Sequence, residues 1–136
     1  MYKIIKLNRK HIGQLAQLDL ESKHQMESPL KLSDYRQMLK ERFDEGYELF
    51  FGFRDNNMLK GYVTLKPFFP GHRHCEVYWL AVRKQFQGQG IGKKLMEFIE
   101  NYAKRKGFRK AYLYTNKVMK RTRGFYGKLG YKLINE

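Results

Sequence analysis

Residues Gly88, Gly90 and Gly92 stand at alternate positions between a run of strand character and a run of helix character. Glycine lacks a Cβ, so backbone N–H groups in such a turn can face an incoming ligand. A helix that begins there adds its own unpaired N–H groups and the positive end of its dipole. The chemistry this suits is binding of phosphate oxygens. The frame is neither G-x-G-x-x-G nor G-x-x-x-x-G-K-[ST], which sets aside the dinucleotide fingerprint and the P-loop. Upstream, Glu76 is the only acidic residue between Asp55 and Glu97, and it sits in the run His-Cys-Glu-Val-Tyr-Trp-Leu-Ala-Val. A carboxylate among apolar residues is costly unless it is paired or does chemistry. Glu76 is therefore either a proton acceptor or half of an ion pair with Arg73 or a lysine of a neighbouring strand. Strict alternation predicts Glu76, Tyr78, Leu80 and Val82 on one face, shared with His74, and Cys75, Val77, Trp79 and Ala81 on the other.

The elements that must position these residues follow from periodicity and punctuation. Residues 1–7 read as a strand. Asn8 is placed to cap a helix running to about Glu21, with Ile12, Leu15, Leu18 and Leu20 on its apolar side. Ser33 is expected to cap a second helix with Tyr35, Met38, Leu39 and Phe43 inward and Gly46 at its end. Strands over 47–53 and 58–66 flank a turn at 54–57 and read as a hairpin. Residues 73–82 form a long strand. The helix after the glycine turn extends to about Lys106, burying Ile91, Leu95, Phe98, Ile99 and Tyr102, and Gly107 stops it. A strand over 109–115, a short helix from about Arg121 to Leu129 ended by Gly130, and a strand over 131–134 complete the order βααβββαβαβ. This is an α/β chain.

The bulk properties set limits. The 136 residues suit one domain with one core. No apolar run approaches the roughly 20 residues that span a bilayer, and the N-terminus does not read as a signal peptide. The single cysteine, Cys75, permits no internal disulfide and fits a reducing, cytoplasmic setting as a buried inert thiol. The formal charge of +15 is lopsided: residues 1–54 carry ten Lys/Arg against eight Asp/Glu, and residues 55–136 carry eighteen against five. Either a polyanionic partner or a solvated basic surface accounts for that excess.

Two motifs carry a family likeness. Gln87-Gly88-Gln89-Gly90-Ile91-Gly92 fits Q/R-x-x-G-x-G/A after a strand ending Leu80-Ala81-Val82, and Phe125-Tyr126-Gly127-Lys128-Leu129-Gly130-Tyr131 is similar to F-Y-x-K-L-G-F/Y. Together with the element order, they make the chain resemble the GNAT superfamily of N-acetyltransferases. The resemblance implies a single GNAT domain over residues 1–136, with a mixed central sheet whose fourth and fifth strands splay apart. It also implies acetyl-coenzyme A as co-substrate, with no metal. The pantetheine arm would pair with the backbone at Leu80, Ala81 and Val82. The pyrophosphate would lie on Gln87, Gly88, Gln89, Gly90, Ile91 and Gly92, with Lys93 and Lys94 adding positive charge. Asn116 would bond the pantetheine, although it stands ten residues before Tyr126, a longer gap than the family pattern. Lys120, Arg121 and Arg123 are either phosphate contacts or a solvated basic turn.

Glu76 lies six residues before Val82, the offset at which histone-acetylating members carry their base. Tyr126 stands where the family places a hydroxyl near the coenzyme sulfur. The implied reaction is direct attack by a primary amine of a small molecule or protein in a ternary complex. Its acceptor would be met by residues 21–32, with Glu21 and Glu27 suited to a cation. The opposite rim would be Pro67–His74, where Phe68, Phe69, His72 and Arg73 suit an acidic or aromatic acceptor. The alternative is a GNAT-fold module that binds RNA, ribosome or another acidic partner. A homodimer through the aromatic strand Tyr47–Phe53 is a further expectation, alongside that strand being core.

Overall fold

The computed structural model describes residues 1–22, 30–113 and 120–132, with the side chains of 120–123 also outside the description. Strand β1 (Tyr2–Lys6) leads into Asn8, whose side chain accepts from the Lys10 N–H at 3.1 Å, while its own N–H donates to His11 Nδ1 at 3.0 Å. This reciprocal cap opens a single 3-10 turn before helix α1 (Ile12–Ser22). Helix α2 (Leu32–Glu45) begins before Ser33. Its entry is fixed by the Asp34 carboxylate, which accepts from the Lys31 N–H at 2.8 Å, so Ser33 is not the cap. Gly46, at φ 75°, ends it in the left-handed conformation that glycine tolerates. Tyr35 and Leu39 are buried, whereas Met38 is exposed.

Strands β2 (Leu49–Asp55) and β3 (Met58–Pro67) form the expected hairpin, but its turn is tighter than the sequence predicts. Arg54 and Asp55 stay in the ladder, and Asn56 and Asn57, at φ 53° and 62°, make the reversal alone. Asparagine accepts positive φ better than most residues, which is why a two-residue turn closes here. Strand β4 (His74–Val82), helix α3 (Ile91–Arg105), strand β5 (Lys110–Tyr112) and helix α4 (Lys120–Lys128) follow. Tyr131 and Lys132 are not in a strand, and residues 133–134 of the expected last strand lie outside the described residues.

The sheet order is β1-β2-β3-β4-β5, antiparallel except for the parallel β4–β5 pair. Helices α1 and α2 cover one face over Leu7, Leu15, Leu18, Leu39, Phe50 and Tyr62. Helix α3 covers the other over Val63, Leu65, Cys75, Val77, Leu95 and Ile99. Phe50, Phe51 and Phe53 are all at most 5% exposed and belong to the core, whereas Tyr47, just before β2, is 71% exposed.

Strict alternation along β4 fails at one residue. The register passes from Thr64 opposite Trp79 to Leu65 opposite Val77, which leaves Tyr78 unpaired as a β-bulge. One extra residue reverses the faces of everything beyond it. Cys75 and Val77 therefore share the α3 side with Leu80 and Val82, while Trp79 and Ala81 lie against α1 and α2. Glu76, between Cys75 and Val77, takes the α1/α2 side, away from Leu80 and Val82.

Candidate active site

The glycine turn has the form its sequence predicts. Gly88 and Gly90 stand at φ 81° and 85°, and a Cβ at either would meet nothing within 4 Å. The backbone there is open to an incoming group. Gln87 closes the turn from behind, its side-chain amide donating to the Val82 carbonyl at 2.9 Å. Ile91 is 5% exposed and anchors the helix start in the core, so only its backbone can face a ligand. The first intrahelical bond of α3 runs from the Lys94 N–H to the Gly90 carbonyl at 3.1 Å. The N–H groups of Ile91, Gly92 and Lys93 consequently have no partner within the helix.

Gly92 faces the Phe125 ring, where an added Cβ would make ordinary contact at 3.4 Å, so α4 packs against the start of α3. Lys93 is exposed, whereas the Lys94 ammonium lies 4.7 Å from the centre of the Tyr2 ring and is drawn to the side.

Strands β4 and β5 pair over only three positions: His74 with Lys110, Cys75 with Ala111 and Glu76 with Tyr112. Beyond Glu76, the β5-facing edge of β4 has no strand partner among the described residues, and this open edge runs from Val77 through Leu80, Ala81 and Val82 to the glycine turn. An unpaired edge accepts an extended ligand by main-chain hydrogen bonds. Glu76 thus sits at the fork, with the phosphate-suited turn at the other end of the same edge.

Glu76 is 7% exposed and forms no ion pair or hydrogen bond with another described residue. The alternative of an ion pair with Arg73 is not realised among the described residues. Lys66 lies directly across the ladder, but its ammonium sits over the Tyr78 ring, 3.6 Å from the centroid. Burial raises the Glu76 pKa above its ordinary value, Lys66 opposes that rise, and Glu48 adds to it. His74 packs its ring against Tyr112 at 5.3 Å. Cys75 is fully buried, and burial pushes its thiol up to about 11, which keeps it protonated and unreactive.

Tyr126 packs edge-on against Phe125 and Tyr131, with centroids 5.2 and 6.0 Å away. Burial pushes its hydroxyl up to about 12, so at neutral pH it is a proton donor and not a phenolate. Glu21 is already engaged, with its carboxylate 2.7 Å from Arg83. Arg83 and Gln17 both meet its Oε2, which leaves Oε1 for a further donor. Glu27 and Asn116 lie outside the described residues.

A polar network on the α1/α2 face escapes motif reading altogether. Asp19, 5% exposed, accepts from the Tyr62 hydroxyl at 2.9 Å and from the Trp79 indole at 3.2 Å. Arg42 donates its Nε to Glu48 at 2.9 Å and bonds the second carboxylate oxygen through Nη2. Its guanidinium lies 4.9 Å from the Trp79 centroid and 5.0 Å from that of Phe50. Trp79 directly follows the bulge, so the network pins β4 at the point where its faces reverse. A signal for Asp19 was present: it falls one turn after Leu15, on the buried stripe of α1.

Burial raises the Asp19 pKa to about 6, against the bonds from Tyr62 and the charge of Arg42. The folded chain thus holds this proton more tightly than the unfolded chain does. The corresponding stability is present below about pH 4 and is lost as pH rises through about 6, by about 2–3 kcal/mol. Urea unfolding across this range should show that Asp19→Asn removes this fall; an unchanged slope would place the ionisation elsewhere.

A sequence profile of the Acetyltransferase (GNAT) family matches residues 12–131, nearly the whole of the chain. The chain belongs to that family. Among curated proteins, a probable N-acetyltransferase 14 from Xenopus tropicalis is 35% identical over 79 residues, 58% of this chain and 38% of that relative's length. The GNAT fold is matched more completely by solved structures. The PaiA N-acetyltransferase of Thermoplasma acidophilum, solved in complex with coenzyme A, superposes with a TM-score of 0.81 at 21% identity, covering 100% of this chain and 92% of that one. A ribosomal-protein-alanine N-acetyltransferase from Brucella melitensis gives 0.83 at 18% identity, covering 100% and 96%. At these identities the likeness is one of fold. Among the described residues, no group of acidic, histidine and cysteine side chains is arranged to hold a metal, and no helix is long and apolar enough to cross a membrane.

Proposed function

We propose that this GNAT domain transfers an acetyl group from acetyl-coenzyme A to a primary amine of a small molecule or a protein. The observation that carries the reading is the open β4 edge, which joins a buried, unpaired carboxylate at the β4–β5 fork to the turn of free N–H groups before α3. The backbone of Leu80, Ala81 and Val82 takes the extended arm of the co-substrate. The N–H groups of residues 87–92, with Lys93, take its pyrophosphate. The geometry fits this ligand because both left-handed glycines leave open space on the ligand side.

An alkyl ammonium is protonated at neutral pH and cannot attack a thioester. Glu76 removes its proton, directly or through a water. The freed nitrogen lone pair attacks the thioester carbonyl carbon, the C–S bond breaks as the tetrahedral oxyanion collapses, the departing thiolate takes a proton from Tyr126, and the second proton shed by the new amide nitrogen restores the Tyr126 hydroxyl through solvent. The raised Glu76 pKa makes it a better proton acceptor than an ordinary surface carboxylate, and the raised Tyr126 pKa keeps its proton in place until a thiolate forms. Backbone N–H groups along β4 are the natural donors to the developing oxyanion. Asn116 is assigned a further bond to the pantetheine.

Release of free thiol from acetyl-coenzyme A, followed across a panel of amines that includes polyamines, aminosugars and peptides, tests the function. Amine-dependent thiol release is expected; none across the panel, with the co-substrate bound, would argue against transfer to amines. Tyr126→Phe keeps the packing and removes the donor. A fall in kcat of about tenfold or more is expected, with the conventional range for lost acid catalysis as the upper guide. An unchanged kcat at all pH values would leave Tyr126 a packing residue.

A further inference from the structure

Six cations of the second half lie away from the turn that suits the co-substrate's phosphates. Strands β4 and β5 run parallel and both start at the opposite end of the sheet from that turn. Helix α3 returns to this end, so its last turn lies about 22 Å from its first. Lys104, Arg105 and Lys106 close the helix, and Arg109 and Lys110 follow within one short connection. Arg73 is brought beside them, because the Arg109 N–H donates to its carbonyl at 2.8 Å. All six side chains are exposed, and none forms an ion pair among the described residues.

The helix dipole accounts for cations in the last turn of α3. It does not account for Arg73, Arg109 or Lys110, which lie outside the helix. Exposed like charges gathered on one surface raise the local positive potential and attract anions, with a strength that salt screens.

Two further features shape this surface. Phe68 and Phe69, at the end of β3, are 65% and 47% exposed. Phe68 is held in place by ring contacts with Phe108 at 5.3 Å and His72 at 6.2 Å, which tie the aromatic pair to the α3–β5 connection. Beside them lies a cleft of about 540 Å³ lined by Lys104, Arg109, Lys110 and Lys132, with Tyr112 and Tyr131 on its walls and Glu100 as its one acid among the described residues. Exposed aromatic faces set among unpaired cations match single-stranded nucleic acid, whose bases stack and whose phosphates follow a basic track. An acidic protein segment would use the cations but give the exposed rings no stacking partner.

We infer that the end of the sheet formed by the β3–β4 and α3–β5 connections is a binding surface for single-stranded nucleic acid, with phosphates on Arg73, Lys104, Arg109 and Lys110 and bases stacked on Phe68 and Phe69. This surface lies at the other end of β4 from the phosphate-suited turn and borders the acceptor side of the fork, where Tyr112 of the cleft pairs with Glu76.

Fluorescence anisotropy of a labelled single-stranded RNA of about 15 nucleotides, titrated with the full chain at about 150 mM salt, tests the inference. Binding is expected. Arg109→Gln with Lys110→Gln should weaken it about tenfold or more and lower the log–log salt slope by about two. Phe68→Ser with Phe69→Ser should weaken it at least fivefold, with the slope retained. Acetyl-coenzyme A titration should be unchanged in both variants, which shows that they are folded. Three results would overturn the inference: no binding at this salt, displacement of the RNA by saturating coenzyme A, or competition by polyglutamate equal to that of RNA with the phenylalanine variants unaffected. The second would put the RNA in the glycine turn, and the third would make the surface a docking site for acidic protein.

Discussion

Glu76→Gln is expected to lower kcat by about two orders of magnitude or more while leaving acetyl-coenzyme A affinity within about twofold, since removal of a general base typically costs 10²–10⁴ in rate. Glutamine preserves shape and polarity but cannot accept the ammonium proton. The pH dependence supplies the sharper test. Glu76 must be ionised to act, so activity falls as pH drops through its pKa, which burial and Glu48 raise and Lys66 restrains. In Glu76→Gln that acid limb should vanish. Parallel pH–rate profiles of variant and wild type would remove Glu76 from the mechanism and leave it as a buried carboxylate with no assigned work.

Glu48→Ala is expected to destabilise the fold by about 3–5 kcal/mol, because it leaves the Arg42 guanidinium buried and uncompensated. The side chains of Arg42 and Glu48 are 12% and 2% exposed, so solvent does little to replace the lost partner. The effect should be largely reversed when Arg42 and Glu48 are both replaced by methionine, since the cost lies in the orphaned charge more than in the lost attraction. Urea unfolding of the two single variants and the double variant checks this. A loss below about 1 kcal/mol in Glu48→Ala would show that Arg42 finds compensation elsewhere, with Asp19 as the nearest candidate. The consequence reaches the site, because Arg42 stacks on Trp79, the residue that follows the bulge.

Much of the scaffold was legible in the residues because local chemistry and global fold agree. Asn8 caps, Gly46 and Gly107 end helices in the left-handed region, and the alternate glycines at 88 and 90 take positive φ. The apolar stripe of α3 buries Ile91, Leu95 and Ile99 as its period requires, with Phe98 and Tyr102 partly buried at its margin. What failed depends on partners distant in sequence. The bulge at Tyr78 arises from how β3 pairs with β4, and nothing within β4 alone marks it. That single residue moves Glu76 to the face opposite Leu80 and Val82. Ser33 has the chemistry of a cap, but Asp34 reaches back to the Lys31 N–H, two residues before Ser33, and takes the role. The ion pair of Glu21 with Arg83, 62 residues away, is likewise invisible to local reading. The network of Asp19, Arg42, Glu48, Tyr62 and Trp79 joins four elements and the connection before β2, so no short motif could announce it.

The proposed transfer rests on binding of acetyl-coenzyme A by the turn before α3 and the open edge of β4. Calorimetric titration of the protein with acetyl-coenzyme A, beside free coenzyme A and NAD, tests it most directly. The expected result is one-to-one binding of both coenzyme A forms in the micromolar range, no heat with NAD, and a marked loss of affinity in Gly90→Val, where a branched side chain must adopt positive φ. Absence of coenzyme A binding by the folded protein would contradict the phosphate-site assignment, and with it the transfer reaction built on that site.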